Sequence, residues 1–294
     1  MNLEDEMIND YYVSTKQKKI WSIQLDLLNK LISVCEAHDI KCFIIWGTLL
    51  GCIRHKGFIP WDDDLDVGLL REDYDRLCKV ALQEFNEPYF FQNTQSDPAF
   101  FIGYSRLRNS NTTGIIRENA IKDYNNGIYI DIYPLDGLID DGIRRKKQFL
   151  KKEYYFWLGN AYYKNLKIKW GIKSIIYNFL HLISKCYTYE TIQEKYNHIC
   201  QLYNQEADRV GLVYHETLWK KYNFPKRCVE EIIMSSFEDY MVPIPKEYDE
   251  ILRNIYGEYH EFPPKEKRGQ WHGDNLIYDP DVSYKEYMKN DNYL

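Results

Sequence analysis

Several things are scarce in this chain of 294 residues, and each absence excludes something. Its seven cysteines, at 35, 42, 52, 78, 186, 200 and 228, are odd in number and form no Cys-x-x-Cys pair. That excludes a zinc ribbon and argues against a disulfide frame, leaving reduced thiols and a cytoplasmic setting as the expectation. Positive charge is not in excess: 38 Lys and Arg face 44 Asp and Glu, and a net charge of −6 gives no global attraction to nucleic acid. No run is long and apolar enough to span a bilayer. The first residues, Met-Asn-Leu-Glu-Asp-Glu-Met, lack the apolar core of a signal peptide. No repeat or low-complexity linker divides the chain, so one unit over 1–294 is expected.

What is present is concentrated in residues 46–67, where Asp62, Asp63, Asp64 and Asp66 fall within five positions of an apolar, Gly- and Pro-punctuated stretch. On a strand beginning near Asp64, Asp64 and Asp66 share a face, roughly 6.6 Å apart by Cα, while Leu65 and Val67 face inward. Two carboxylates about 4 Å apart at a half-buried site repel by roughly 4 kcal/mol. A divalent cation relieves that repulsion, and oxygen ligands suit Mg²⁺ or Mn²⁺. An EF-hand loop fails the spacing, because from Asp62 its sixth position is Val67 and its twelfth Asp73. A solvated acidic turn and a glycosyltransferase Asp-x-Asp remain open on spacing alone.

The context narrows this. Residues 42–46 form a short apolar run expected as a buried strand, and Gly47-Thr48 opens a short helix with Thr48 expected at its N-cap. Free N–H groups at such a terminus bind phosphate. Asp131, in an alternating strand over 127–133 that Pro134 is expected to end, supplies a third acid. A phosphate cradle followed by a two-carboxylate strand is the layout of a nucleotidyltransferase palm. Elsewhere the pattern predicts a helix over about 16–39, a strand at 64–69, a helix near 72–85 and strands at 89–93, 100–108 and 113–118. Helical stretches are expected through about 206, and a helix over 244–256 opened by Pro245. The fold class is α/β (α+β), with a mixed sheet, flanking helices and an additional helical region.

Gly-Thr-Leu-Leu-Gly-x-x-Arg-His-x-Gly-Phe-Ile-Pro-Trp-Asp-Asp-Asp-Leu-Asp-Val resembles the signature of the LicD family. These are bacterial phosphocholine transferases related to fukutin-type ribitol-phosphate transferases, within the polymerase-β-like nucleotidyltransferase superfamily. Tyr-Ile-Asp-Ile-Tyr-Pro-Leu-Asp-Gly is similar to the family's second motif. Val242-Pro243-Ile244-Pro245, Tyr256-Gly257 and Phe262-Pro263-Pro264 with Lys267 and Arg268 resemble its closing one. The resemblance spans about 40–272 and implies a catalytic core over 40–140, with a helical region over 141–230 and a C-terminal motif region over 231–294. It implies that Asp64, Asp66 and Asp131 are the catalytic, metal-binding carboxylates. Gly47, Thr48, Arg54, Lys267 and Arg268 would bind donor phosphates, with Asp62, Asp63 and His55 supporting them. A solvated tail is the simpler reading of Lys267 and Arg268, as helix-dipole stabilisation is of the Arg54–Lys56 cations.

The implied reaction passes phosphocholine from a CDP-activated donor to a hydroxyl of a cell-surface glycan or lipid-linked precursor, with CMP leaving. Alditol-phosphate transfer, nucleotide transfer to a small molecule and a non-enzymatic nucleotide- or glycan-binding module are the alternatives. Asp131 is also a candidate general base. The basic run 144–152 and the apolar, Lys-flanked stretch 168–187 raise peripheral membrane association, which would place the chain at the inner face of a membrane. A core-packing helix with a solvated basic face is the simpler expectation for that stretch.

Overall fold

Ser14 starts the first long helix by accepting the Gln17 N–H at 3.2 Å, and one apolar stripe then carries it across the sheet. In this computed structural model, which describes residues 1–116, 124–163, 171–214, 220–269 and 275–289, a hairpin of β1 (Glu6–Ile8) and β2 (Tyr11–Val13) precedes that helix, α1 (Thr15–Ala37). Then follow β3 (Phe43–Ile44), α2 (Trp46–His55), β4 (Asp66–Leu70), α3 (Arg71–Glu84), β5 (Tyr89–Gln92), β6 (Ser105–Asn109), β7 (Thr113–Ile116) and the long β8 (Ile128–Leu138). Three helices come next: α4 (Gly142–Tyr162), α5 (Ile172–Ser184) and α6 (Tyr189–Cys200). The chain returns to the sheet with β9 (Arg209–Gly211) and β10 (Asn223–Pro225), so among the described residues the expected helical region 141–230 is α-helical only to Cys200, with a 3₁₀ turn at Lys226–Val229. A hairpin of β11 (Ile232–Phe237) and β12 (Tyr240–Pro245) follows, then α7 (Tyr248–Tyr256), a 3₁₀ turn at Lys265–Lys267, β13 (Leu276–Asp279) and α8 (Tyr284–Lys289).

The main sheet runs β10-β9-β8-β4-β3, with β6 beside β8 and β5 beside β6. β4 and β8 are parallel and the other pairs antiparallel, which is the mixed sheet expected of the α/β (α+β) class. Arg71, opening α3, reaches Asp136 on β8 with two hydrogen bonds (2.8 and 2.5 Å), both side chains buried, and so locks helix to strand.

Several boundaries differ from expectation for identifiable reasons. The strand expected from Asp64 begins at Asp66, because the Asp63 carbonyl is drawn away to Gln24 Nε2 and the Tyr278 hydroxyl (3.1 Å each). The run 42–46 pairs only at Phe43–Ile44, and 100–108 only from Ser105, after Gly103 turns the chain at φ +92°. Residues 117–118 of the expected strand 113–118 lie outside the described residues. Pro134 does not end β8. The Asp131 N–H points to β4, where it donates to the Leu65 carbonyl at 2.9 Å, so alternation turns the Pro134 nitrogen to the other side. There β6 pairing stops at Ile132 and β9 pairing starts at Asp136, and no ladder bond is lost. Pro245 likewise ends β12 instead of opening a helix, and α7 starts at Tyr248. The Lys246 N–H donates to the Glu231 carbonyl, so the Pro243 and Pro245 nitrogens face away from β11.

Candidate active site

Strand register sets the centre of the site. Asp66 on β4 stands opposite Asp131 on β8, on neighbouring strands about 4.8 Å apart, and both are buried. Immediately before β4, the carboxylate oxygens of Asp62, Asp63 and Asp64 come within 4.8 Å of one another. The structure thus brings acids together in two groups, Asp62–Asp64 by a tight turn and Asp66 with Asp131 by register. Asp63, expected to support the ligands or face solvent, is 1% exposed.

The electrostatics of this cluster are unfavourable on their own. Burial, then Asp66, Asp62, Asp63 and Asp131, push Asp64 well above the usual carboxylate range. Burial, then Asp131 and Asp62, do the same to Asp66. Asp66 Oδ1 is buried without a hydrogen-bond partner. An orphaned carboxylate oxygen among other acids, in an all-oxygen donor set, fits Mg²⁺ or Mn²⁺. Asp62, Asp64 and Asp66 line a cleft and could hold such an ion; of the expected set Asp64, Asp66 and Asp131, Asp131 stands beside Asp66 but is not among the lining acids.

Sequence reasoning missed the cation that already sits here. Arg106, opposite Asp131 in the β6–β8 register, donates from Nε to Asp131 Oδ1 at 2.6 Å, with both side chains buried. Its guanidinium lies 3.9 Å over the Tyr129 ring. Tyr133 donates to Asp131 Oδ2 at 3.3 Å. The available signal was Ser-Arg-Leu-Arg-Asn, two arginines on one face of a strand otherwise reading as core.

The N-terminus of α2 borders the acids. Ile45 is the N-cap and contributes no side-chain bond, so Thr48 is not the expected cap. It lies in the first turn, buried, and its hydroxyl accepts the Asp66 N–H at 2.8 Å, tying the helix to β4. Trp46 opens the helix at φ +52°, a left-handed conformation that costs of order 1 kcal/mol in a bulky residue. Gly47 has Asp62 above it: a Cβ there would stand 2.8 Å from Asp62 Oδ2, whereas one at Gly51 would stand 2.5 Å from the Gly57 carbonyl. A carboxylate can swing aside and a backbone carbonyl cannot. Gly47→Ala is therefore expected to leave the melting temperature within a degree or two and, by displacing the Asp62 carboxylate, to weaken any Mn²⁺ binding at these acids about tenfold, or about 1.4 kcal/mol. Gly51→Ala is expected to destabilise by about 1–3 kcal/mol. Thermal denaturation and calorimetry of the two variants check this contrast.

Gly47 and the acids open on a cleft of about 800 Å³. One wall is aromatic: Trp46, Tyr133, Tyr214, Tyr222 and Tyr256. Tyr133 and Tyr214 lie parallel with centroids 6.1 Å apart, and Trp46 meets Tyr222 edge-on at 4.9 Å. The lining also carries Arg54, Lys221 and Lys267. Arg54 is steadied by the Tyr259 and Glu261 carbonyls (3.0 and 3.2 Å). Lys221, absent from the sequence expectations, stands over the rings of Tyr222 and Tyr256. Arg268 turns instead to the Pro263 and Asn9 carbonyls (3.0 Å each) and the face of Trp61. His55 stacks on Phe262, and burial, with Arg54 and Arg268 nearby, lowers its pKa to about 4. It is neutral at pH 7 and offers no charge to a phosphate. A smaller cavity of about 220 Å³, lined by Arg71, Asp75 and Tyr104 among others, holds none of these acids.

Comparison with known proteins adds a family. Residues 39–169 match the family described as LicD/FKTN/FKRP, nucleotidyltransferase domain. The chain is 28% identical over 257 residues to the lipopolysaccharide cholinephosphotransferase LicD of Haemophilus influenzae, covering 84% of this chain and 92% of that protein. It is 39% identical over 83 residues to an uncharacterised protein of Rickettsia prowazekii, 28% of this chain and 30% of that one. A stretch of 43 residues is 42% identical to the ribitol 5-phosphate transferase FKRP of Homo sapiens, 15% of this chain and 9% of that protein.

Proposed function

We propose that this chain, whose residues 39–169 match the LicD family's domain, transfers phosphocholine from a CDP-activated donor to a hydroxyl of a cell-surface glycan or lipid-linked precursor. At its coarsest the chemistry is transfer of a phosphate-linked group, as the names of both kinds of relative state for those proteins. The observation that carries the finer reading is the cleft itself, which joins a cluster of buried carboxylates to an aromatic wall. Aromatic faces hold a quaternary ammonium by cation–π attraction, whereas an alditol would need a set of paired hydroxyl partners.

Bound Mg²⁺ or Mn²⁺ would offset the acidic cluster and the donor pyrophosphate and stabilise charge developing on the transferred phosphorus. Asp62, Asp64 and Asp66, which line the cleft, would hold the ion, and Thr48 fixes Asp66 through its backbone. Arg54, Lys221 and Lys267 line the cleft and suit the phosphates. The acceptor oxygen forms a bond to the phosphorus bearing choline as the anhydride bond to CMP breaks, and the hydroxyl proton passes to a carboxylate or water. Arg106 already occupies Asp131 Oδ1, which favours a positioning role for Asp131.

Calorimetry of CDP-choline, CDP-ribitol, CDP-glycerol and CTP, with Mg²⁺ or EDTA, tests the reading. CDP-choline is expected to bind only with metal, and Asp64→Asn/Asp66→Asn protein not at all. Preference for CDP-ribitol would move the assignment to alditol-phosphate transfer. Preference for CTP, with pyrophosphate and not CMP as product, would overturn group transfer in favour of nucleotide transfer.

A further inference from the structure

Helix α5 turns its apolar side outward. Ile172, Ile175, Ile176, Phe179 and Leu182 form one stripe and are exposed, from 55% for Ile176 to 78% for Ile172. The opposite side already has its partners: Tyr177 and Ser184 are buried, and Leu180 and Ile183 pack on the small core around Phe101, Leu158 and Tyr189. His181 Nδ1 and Lys185 Nζ fasten the helix to the carbonyls of Ala161 and Tyr162 (2.8 and 2.6 Å). The expected core-packing helix with a solvated basic face is therefore inverted over its described residues; Ile168 and Trp170 lie outside them. An exposed apolar stripe of this size marks an interface.

Charge selects what covers it. Between Asp141 and Glu190 the chain carries eleven Lys and Arg against the single acid Glu153, although the whole chain is net −6. Lys173 on α5 and Lys146, Lys147 and Lys151 on the adjoining α4 are exposed. Two copies meeting through this face about a twofold axis would set lysines against lysines. An anionic lipid surface offers hydrocarbon and negative charge together. No helix among the described residues is long and apolar enough to cross a membrane, so attachment would be in the plane of the interface.

We propose that α5 docks on an anionic phospholipid surface, its apolar stripe seated at the acyl boundary, with Lys173 beside the stripe and the exposed lysines of α4 adding attraction to the headgroups. Over 13 residues the helix presents about 20 Å of contact. Such docking is independent of the chemistry in the cleft.

The test is cosedimentation of the full chain with vesicles of phosphatidylcholine alone and of phosphatidylcholine with phosphatidylglycerol. Binding is expected to the phosphatidylglycerol vesicles only, weakening as salt is raised. Ile176→Ser/Phe179→Ser, both positions being exposed, is expected to weaken it at least about tenfold without lowering the melting temperature. Should that variant fold poorly, hydrogen exchange of wild-type residues 172–184, expected to slow when vesicles are added, decides alone. Failure to sediment with either vesicle, or equal binding to both, would overturn the proposal. So would a wild-type dimer that the double variant converts to monomer, which would assign the stripe to a second copy of the chain.

Discussion

Asp66→Asn is expected to lose transfer activity by about 10³-fold or more, several kcal/mol of transition-state stabilisation, while making the metal-free protein more stable. The two signs come from one cause. Burial and the neighbouring acids hold Asp66 and Asp64 well above the usual carboxylate range, so the folded chain keeps protons that the unfolded chain releases above about pH 4. More protons bound in the native state means that stability falls as pH rises through that window. The amide carries no charge, and its N–H groups can donate to the adjacent carboxylates. Thermal denaturation in EDTA is therefore expected to rank Asp66→Asn above wild type at pH 8, with the gap closing toward pH 4. Mn²⁺ at about a hundred times its Kd is expected to stabilise wild type by about 2.7 kcal/mol, roughly 5 °C for a chain of this length, and to leave the variant unmoved. A metal-free variant less stable than wild type at pH 8 would mean that the carboxylate is satisfied by the protein, and the metal assignment would fall with it.

The acidic centre was readable because its parts are close in sequence: Gly47 to Asp66 is twenty residues, and only Asp131 comes from far away. The mixed sheet was readable for the same reason, since periodicity is a local property. What was not readable depends on partners. Whether Asp64 begins a strand is settled by Gln24 and Tyr278, from both ends of the chain, which draw away the preceding carbonyl. Whether Pro134 ends a strand is settled by which edge its nitrogen faces. The aromatic wall gathers Trp46, Tyr133, Tyr214, Tyr222 and Tyr256 from distant elements, and among 27 tyrosines no spacing identifies them. α5 misled for a different reason. An amphipathic period reports that one face is apolar, and the usual inference that this face is inward fails where the helix packs by its other side.

Arg106→Met is expected to cost about 3–5 kcal/mol of stability, the usual penalty for leaving a buried charge without its partner. Burial opposes the Arg106 charge, and Asp131, followed by Tyr104 and Tyr129, holds its pKa well above even the ordinary arginine range. Removing it would leave Asp131 beside Asp66 without its hydrogen-bonded cation, with Arg108 as the nearby positive charge. Arg106→Lys keeps the charge on a longer, unforked stem, so it is expected to recover part of the stability and little of the geometry. That difference separates a positioning role from a merely structural one. If Arg106 orients Asp131 for the reaction, the lysine variant, folded at low temperature, should bind donor with nearly unchanged KM and turn over about 10- to 100-fold more slowly, because small misplacement near reacting atoms is costly. If Arg106 only neutralises charge, kcat should return with the fold. A lysine variant with wild-type kcat would mean that strand register alone aims Asp131 and that the guanidinium serves solely as its counter-ion.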